Sequence, residues 1–102
     1  MLSVVESPIR YAEGFSDGDQ NWKSLIYTCG KLMLVSVNCK YNADITGNVI
    51  IGYINRCHGN IVAAANVGTL AISYDDRITL NPQGNAIKAG KWIQGYILTF
   101  LR

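Results

Sequence analysis

Apolar and polar positions alternate in short runs along most of this chain, and turn-forming residues separate the runs. Side chains alternate sides along a strand, so this texture predicts β-structure. Leu25-Ile26-Tyr27 reads as a short strand and Gly30-Lys31 as a turn. Leu32 to Tyr41 follows as a long strand, with Met33, Val35, Val37 and Cys39 on one face and Ser36, Asn38 and Lys40 on the other, more exposed face. Residues 42–48 form a polar loop, Val49 to Ile54 a strand apolar on both faces, and 55–60 a second polar loop. Ile61 to Val67 is a strand of small residues, within which Ile61 to Ala65 is the only helix-like stretch. Thr69 to Ser73 and Arg77 to Leu80 face each other across Tyr74-Asp75-Asp76 as a tight hairpin. Asn81 to Asn85 carries Pro82 and Gly84 at turn positions, Ala86-Ile87-Lys88 is a short strand, and Ala89-Gly90 turns into the last one.

Seven or eight strands at this spacing predict an all-β fold, a small antiparallel β-barrel or a jelly-roll-like sandwich. Residues 1–21 differ: Ser7-Pro8 and the acidic stretch Glu13 to Asp19 carry turn chemistry without a period. They read as an N-terminal linker or neck before a head domain spanning 22–102, with Trp22 as a plug sealing its base.

The last strand, Trp92 to Leu101, is apolar on both faces. Trp92, Tyr96, Leu98 and Phe100 point one way and Ile93, Ile97 and Leu101 the other. A single small core covers one such face, so the other calls for a second chain. Ile93, Ile97 and Leu101 are the expected subunit-interface row.

The composition narrows the function. The chain has 102 residues, enough for one core, and 16% are charged against 49% hydrophobic, which excludes disorder. A net charge of +2, from scattered Lys and Arg, offers no nucleic-acid stripe. No apolar run reaches the ~20 residues of a membrane helix, and the N-terminus lacks the features of a signal peptide. A soluble chain without membrane insertion is therefore expected. Cys29, Cys39 and Cys57 are odd in number and lack the close pairing of zinc ligands, even with His58 counted. They read as free thiols packed as small hydrophobes, and no metal or other cofactor is expected.

Catalytic equipment is sparse. His58 is the only histidine, and no G-x-S-x-G elbow or phosphate-cradling glycine loop occurs. Cys57 and His58 are sequence neighbours, which on a strand point to opposite faces and rarely form a catalytic pair, and the Asp75-Asp76 pair suits a turn better than glycoside hydrolysis. No catalytic residue is assigned, and a non-enzymatic protein is expected.

Trp22, Gly30-Lys31-Leu32, the Gly52-centred strand, Gly68-Thr69-Leu70-Ala71-Ile72, Asp76-Arg77-Ile78-Thr79-Leu80 and Ala89-Gly90-Lys91-Trp92-Ile93 occur in an order that carries a likeness over about eighty residues. In this order the chain resembles the C-terminal head domains of bacteriophage tail-fibre and receptor-binding proteins, particularly those of siphophages of Gram-positive hosts. It departs from their pattern at Asn55-Arg56-Cys57-His58 and at Asp76, both in loops. The resemblance implies a homotrimeric head at the virion tail tip or fibre, made in the host cytoplasm and binding saccharide on the host cell wall or envelope. It also implies contacts with other tail or baseplate proteins. A structural baseplate or fibre-cap domain, and a bacterial carbohydrate-binding module, are the alternatives. Sugars stack an apolar face on aromatic rings and pair hydroxyls with polar side chains. Trp92 is the expected platform, with Arg77, Asp76, His58 and Arg56 as hydroxyl partners, all at one end of the domain.

Overall fold

The computed structural model describes residues 3–54, 61–73 and 75–100. These fold as two stacked antiparallel sheets, an open sandwich rather than a closed barrel. The first sheet runs β1 (Val4–Pro8), β4 (Leu25–Cys29), β5 (Leu32–Tyr41), β10 (Ile93–Phe100), with β3 (Phe15–Asp17) also pairing to β5. The second runs β2 (Arg10–Tyr11), β6 (Val49–Tyr53), β9 (Arg77–Asn81), β8 (Thr69–Ile72), β7 (Ile61–Ala64). The described residues contain no helix, and so none long and apolar enough to cross a membrane.

The alternating residues of β5 behave as their pattern predicts. Met33, Val35, Val37 and Cys39 are buried to within 1% of complete and meet Ile51, Leu70, Ile72, Ile78 and Leu80 of the second sheet. Both sheets contribute one inward row per strand, the usual way a sandwich builds its core. The hairpin also forms as expected: β8 and β9 pair from Thr69↔Asn81 to Ile72↔Ile78. Asp76 supplies the left-handed turn residue at φ 64°, a conformation that Asp tolerates better than most residues. Ile61–Ala64 is strand, and Ile87 contributes a single bridge to Ile45 instead of a full strand.

Of the expected neck, residues 1–21, the described part from residue 3 onward belongs to the sandwich itself. Three strands arise between Val4 and Asp17 and join both sheets, and Ile9 and Phe15 enter the core at 5% and 8% exposure. Phe15 stacks on Tyr41, with ring centroids 4.5 Å apart. The strands are too short to establish a period and exist because neighbouring strands supply their hydrogen bonds. Trp22 is not a plug; its side chain is 53% exposed.

The two faces of β10 are assigned opposite to expectation. Ile93 and Ile97 are 0% and 1% exposed and lie inside the single-chain core, so neither is available as an interface row. Leu101 lies outside the described residues. The outward row is Tyr96, Leu98 and Phe100, each more than half exposed. Gly95 explains the choice. A Cβ there would stand 2.7 Å from Leu70 Cδ1 and 3.2 Å from Ala64 O, so only glycine lets β10 approach the second sheet with its odd-numbered side facing in. The single Ala65↔Gly95 bridge marks that approach.

The burial difference sets an expected outcome. Ile97→Ala should cost about 2–5 kcal/mol of unfolding free energy, against under about 0.5 kcal/mol for the exposed Val62→Ala. Urea titrations followed by fluorescence would measure both.

Candidate functional site

The expected site residues do not converge. Arg77 and Asp76 lie at the end of the second sheet where β6 finishes: Tyr53 pairs with Arg77 in register, and Ile54 N donates to Asp76 O at 2.9 Å. Arg77 Nε stands 3.1 Å from Asp75 Oδ2, and Arg10 lies over the Tyr53 ring at 5.0 Å. Asp75 accepts from Ser73 Oγ; this hydrogen bond, followed by the Arg77 charge, holds its carboxyl below the ordinary range. Trp92 sits at the other end, beside the 42–48 and 66–68 turns. Asn66 Nδ2 donates to Trp92 O at 2.8 Å, Gln94 N donates to Asn66 Oδ1 at 2.8 Å, and Gly90 N donates to Tyr41 O at 2.9 Å. The Trp92 ring lies against Gly18, where a Cβ would come within 2.6 Å of Cε2. This tryptophan is a packing residue, not a platform. Arg56 and His58 lie outside the described residues.

A better-formed groove lies on the outer face of the first sheet. It has a volume of about 320 Å³, within the ~300–1,000 Å³ usual for ligand pockets. Tyr27, Leu34 and Tyr96 come from β4, β5 and β10, while Trp22 and Lys23 come from the segment between β3 and β4. Ser36 and Asn38 form a polar floor. The registers Tyr27↔Leu34, Leu25↔Ser36 and Tyr96↔Ser36 place these side chains on one face in adjacent rows.

The floor follows from a gap in pairing. β3 and β4 share one edge of β5 but stop short of each other, facing Cys39–Tyr41 and Leu32–Ser36 respectively. Asn38 lies near that gap, and its buried backbone still needs partners. Its N–H donates to Ser24 Oγ at 2.8 Å, and its carbonyl accepts from Gly18 N at 3.0 Å. Ser24 is held in turn by Asp17 Oδ1, which accepts from Ser24 N at 3.3 Å and from the Tyr11 hydroxyl at 2.6 Å. Between these anchors, Asp19 Oδ1 accepts from Asn21 N and Trp22 N at 2.7 and 2.8 Å, a local turn that displays Trp22.

The Asn38 side chain is 4% exposed. Its Nδ2 lies 3.4 Å from Lys23 O and from Ser36 Oγ, an arrangement that assigns the amide orientation because a carbonyl must face a donor. Its Oδ1 is buried and accepts no hydrogen bond from a described residue. An unmet acceptor of this kind costs on the order of 1–3 kcal/mol. The pattern Leu34-Val35-Ser36-Val37-Asn38 carried a signal for this floor: polar residues recur on one face of an otherwise apolar strand. The aromatic wall had no such signal, since Trp22 reaches the face only through the Ser24 and Gly18 anchors.

A second cavity of about 550 Å³ lies by the 66–68 and 82–88 turns. It is larger but has no aromatic wall, and Lys88 at its edge is drawn to Asp44 at 3.7 Å. The smaller groove is thus the one that sets an aromatic wall beside a polar floor. Comparison with protein-family models, curated proteins and solved structures finds no match to this chain.

Cys29 and Cys39 are free thiols. Cys39 faces the core, Cys29 faces outward, and β5 separates them by most of its length, so they cannot bridge. Cys57 lies outside the described residues. Burial, helped by the charge of Asp17, pushes the Cys39 thiol up to about 12. Burial and the hydrogen bond to Asp17 also push the Tyr11 phenol upward. Both groups hold their protons more tightly when folded. Their stabilisation is intact below the unfolded-state values and declines as pH rises from about 9 toward 12, by up to ~1.4 kcal/mol per pH unit per group. Urea unfolding across this window should show that decline, and Tyr11→Phe should reduce its slope.

Proposed function

We propose that this chain is a non-enzymatic receptor-binding head of a phage tail device, which recognises host-surface saccharide as a homotrimer. The single observation that carries saccharide recognition is the groove in which exposed Trp22 and Tyr96, with half-buried Tyr27, stand around the polar floor of Ser36 and Asn38. A pyranose ring has a CH-rich face for the aromatic wall and hydroxyl donors for the floor. The Asn38 Oδ1 itself is buried beneath the floor, so hydroxyl pairing would fall to the polar groups at the groove's rim, among them Asn21 and Lys23. The tail-fibre setting and the trimer are what the sequence resemblance implies. One site of this size binds weakly, and several copies on one particle would supply the avidity needed for attachment.

A second reading, a fibre-cap domain that binds other virion proteins, is favoured by the exposed apolar strip beside the groove. Screening on an array of bacterial surface glycans separates the two. The parent protein should retain a defined glycan, and Trp22→Ala should weaken that binding about tenfold, the loss of roughly 1–1.5 kcal/mol of aromatic contact. Arg77→Ala, at the distant hairpin end, should bind like the parent. No retained glycan, or equal binding by the Trp22→Ala variant, would remove the saccharide reading.

A further inference from the structure

The larger cavity, of about 550 Å³, is enclosed by three turns. One is the 66–68 turn, which Gly68 at φ 69° lets close on the second sheet, since a Cβ there would strike Asn81 O. Another is the 82–85 turn, closed by Asn85 N donating to Pro82 O at 3.3 Å. In the third, Lys91 N donates to Lys88 O at 3.1 Å. A turn of this kind sets its first and last Cα atoms within ~7 Å, so Lys88 and Lys91 reach the cavity together. The turn is also tied from outside. Ala89 N donates to Asp44 Oδ1 at 2.9 Å, and Gly90 N donates to Tyr41 O at 2.9 Å. Backbone hydrogen bonds therefore fix where both lysines start.

We infer that this cavity binds a small organic monoanion, a carboxylate carried on an apolar body. The inference is independent of the saccharide reading, whose groove lies on the outer face of the first sheet. Charge is the first argument. Lys88 and Lys91 line the cavity, and no described Asp or Glu does. Asp44 meets Lys88 at 3.7 Å, whereas Lys91 forms no ion pair with a described residue. Two ammonium groups facing one carboxylate leave a single positive charge to be matched. The lining is the second argument. Val67, Pro82 and Ile87 give the cavity an apolar side, which a bare inorganic ion would leave in contact with water. A wholly apolar ligand would instead desolvate the lysine charge without supplying a partner. Lysine also presents a point charge rather than the two-pronged donor of arginine, so nothing in the lining favours the several oxygens of a phosphate over a carboxylate. Size is the third, because the volume falls within the ~300–1,000 Å³ of small-molecule sites.

The test is an amide-resolved NMR titration of the whole chain with cyclohexanecarboxylate, its neutral analogue cyclohexanecarboxamide, and inorganic phosphate. The carboxylate should bind saturably, with millimolar affinity, and shift the amides of 66–68 and 83–91. The carboxamide should bind about fivefold more weakly, the factor an exposed ion pair supplies. Lys91→Gln and Lys88→Gln should each weaken carboxylate binding by up to that factor. Asp44→Asn keeps an acceptor for Ala89 N but releases Lys88, and should strengthen binding about twofold. These side chains are exposed, and unchanged amide spectra elsewhere would certify the fold of each variant; if Asp44→Asn disturbs the spectrum, the two lysine variants decide the outcome. Equal binding of acid and amide, or indifference to both lysine substitutions, overturns the site. Phosphate binding more tightly than the carboxylate overturns the ligand class. Shifts centred on Tyr27 and Tyr96 instead of the three turns overturn the location.

Discussion

The hydrogen-bond requirement of the Asn38 backbone organises the outer face of this sandwich. β5 lies in the middle of the first sheet, and a buried strand cannot leave an amide or carbonyl unpaired without a penalty comparable to a lost hydrogen bond. With β3 and β4 stopping short of each other along its edge, the Ser24 hydroxyl and the Gly18 amide complete the pairing at Asn38. Those two contacts draw the 18–24 segment across the sheet and set Trp22 beside Tyr27 and Tyr96. The backbone is satisfied, but the Asn38 side-chain carbonyl remains unmet. The groove follows from completing a strand ladder with a loop.

Gly95 imposes a comparable constraint on the other edge of β5. Because it admits Leu70 and the Ala64 backbone, β10 turns Ile93 and Ile97 into the core and leaves Tyr96, Leu98 and Phe100 outside. Asn66 then secures the start of the strand through its side chain, donating to Trp92 O and accepting from Gln94 N. The outer face consequently has two chemically distinct halves along the same strands. One end is aromatic with a polar floor; the other is apolar, with Glu6 at its margin. Leu34, Tyr27 and Tyr96 lie where the two halves meet.

How much was legible in the chain follows from the range of the interactions involved. The β8–β9 hairpin was readable because a three-residue turn between two alternating runs encodes its own register. The inward row of β5 was readable because four apolar residues alternate with Ser36 and Asn38. The N-terminal strands were not: Val4–Pro8, Arg10–Tyr11 and Phe15–Asp17 are short and carry turn residues, and their pairing is supplied by β4, β6 and β5, which lie far along the sequence. The expected clustering of Trp92 with Arg77 failed because residues 86–88 make a single bridge to Ile45 instead of a strand. Only β9 then separates the hairpin turn from the start of β10, which puts the two at opposite ends of the sandwich.

By itself, then, the sequence determined the antiparallel β character, the core row of β5, and the presence of more apolar strand surface than one small core can cover. Side-chain alternation is a local property and needs no knowledge of neighbours. Only the tertiary structure decided which of the two apolar faces of β10 is inside, because that depends on whether Leu70 and Ala64 can approach Gly95. The tertiary structure also decided that Trp22, Asn38 and Tyr96 share a groove. These residues are brought together by backbone hydrogen bonds between segments distant in sequence, and no local pattern encodes them.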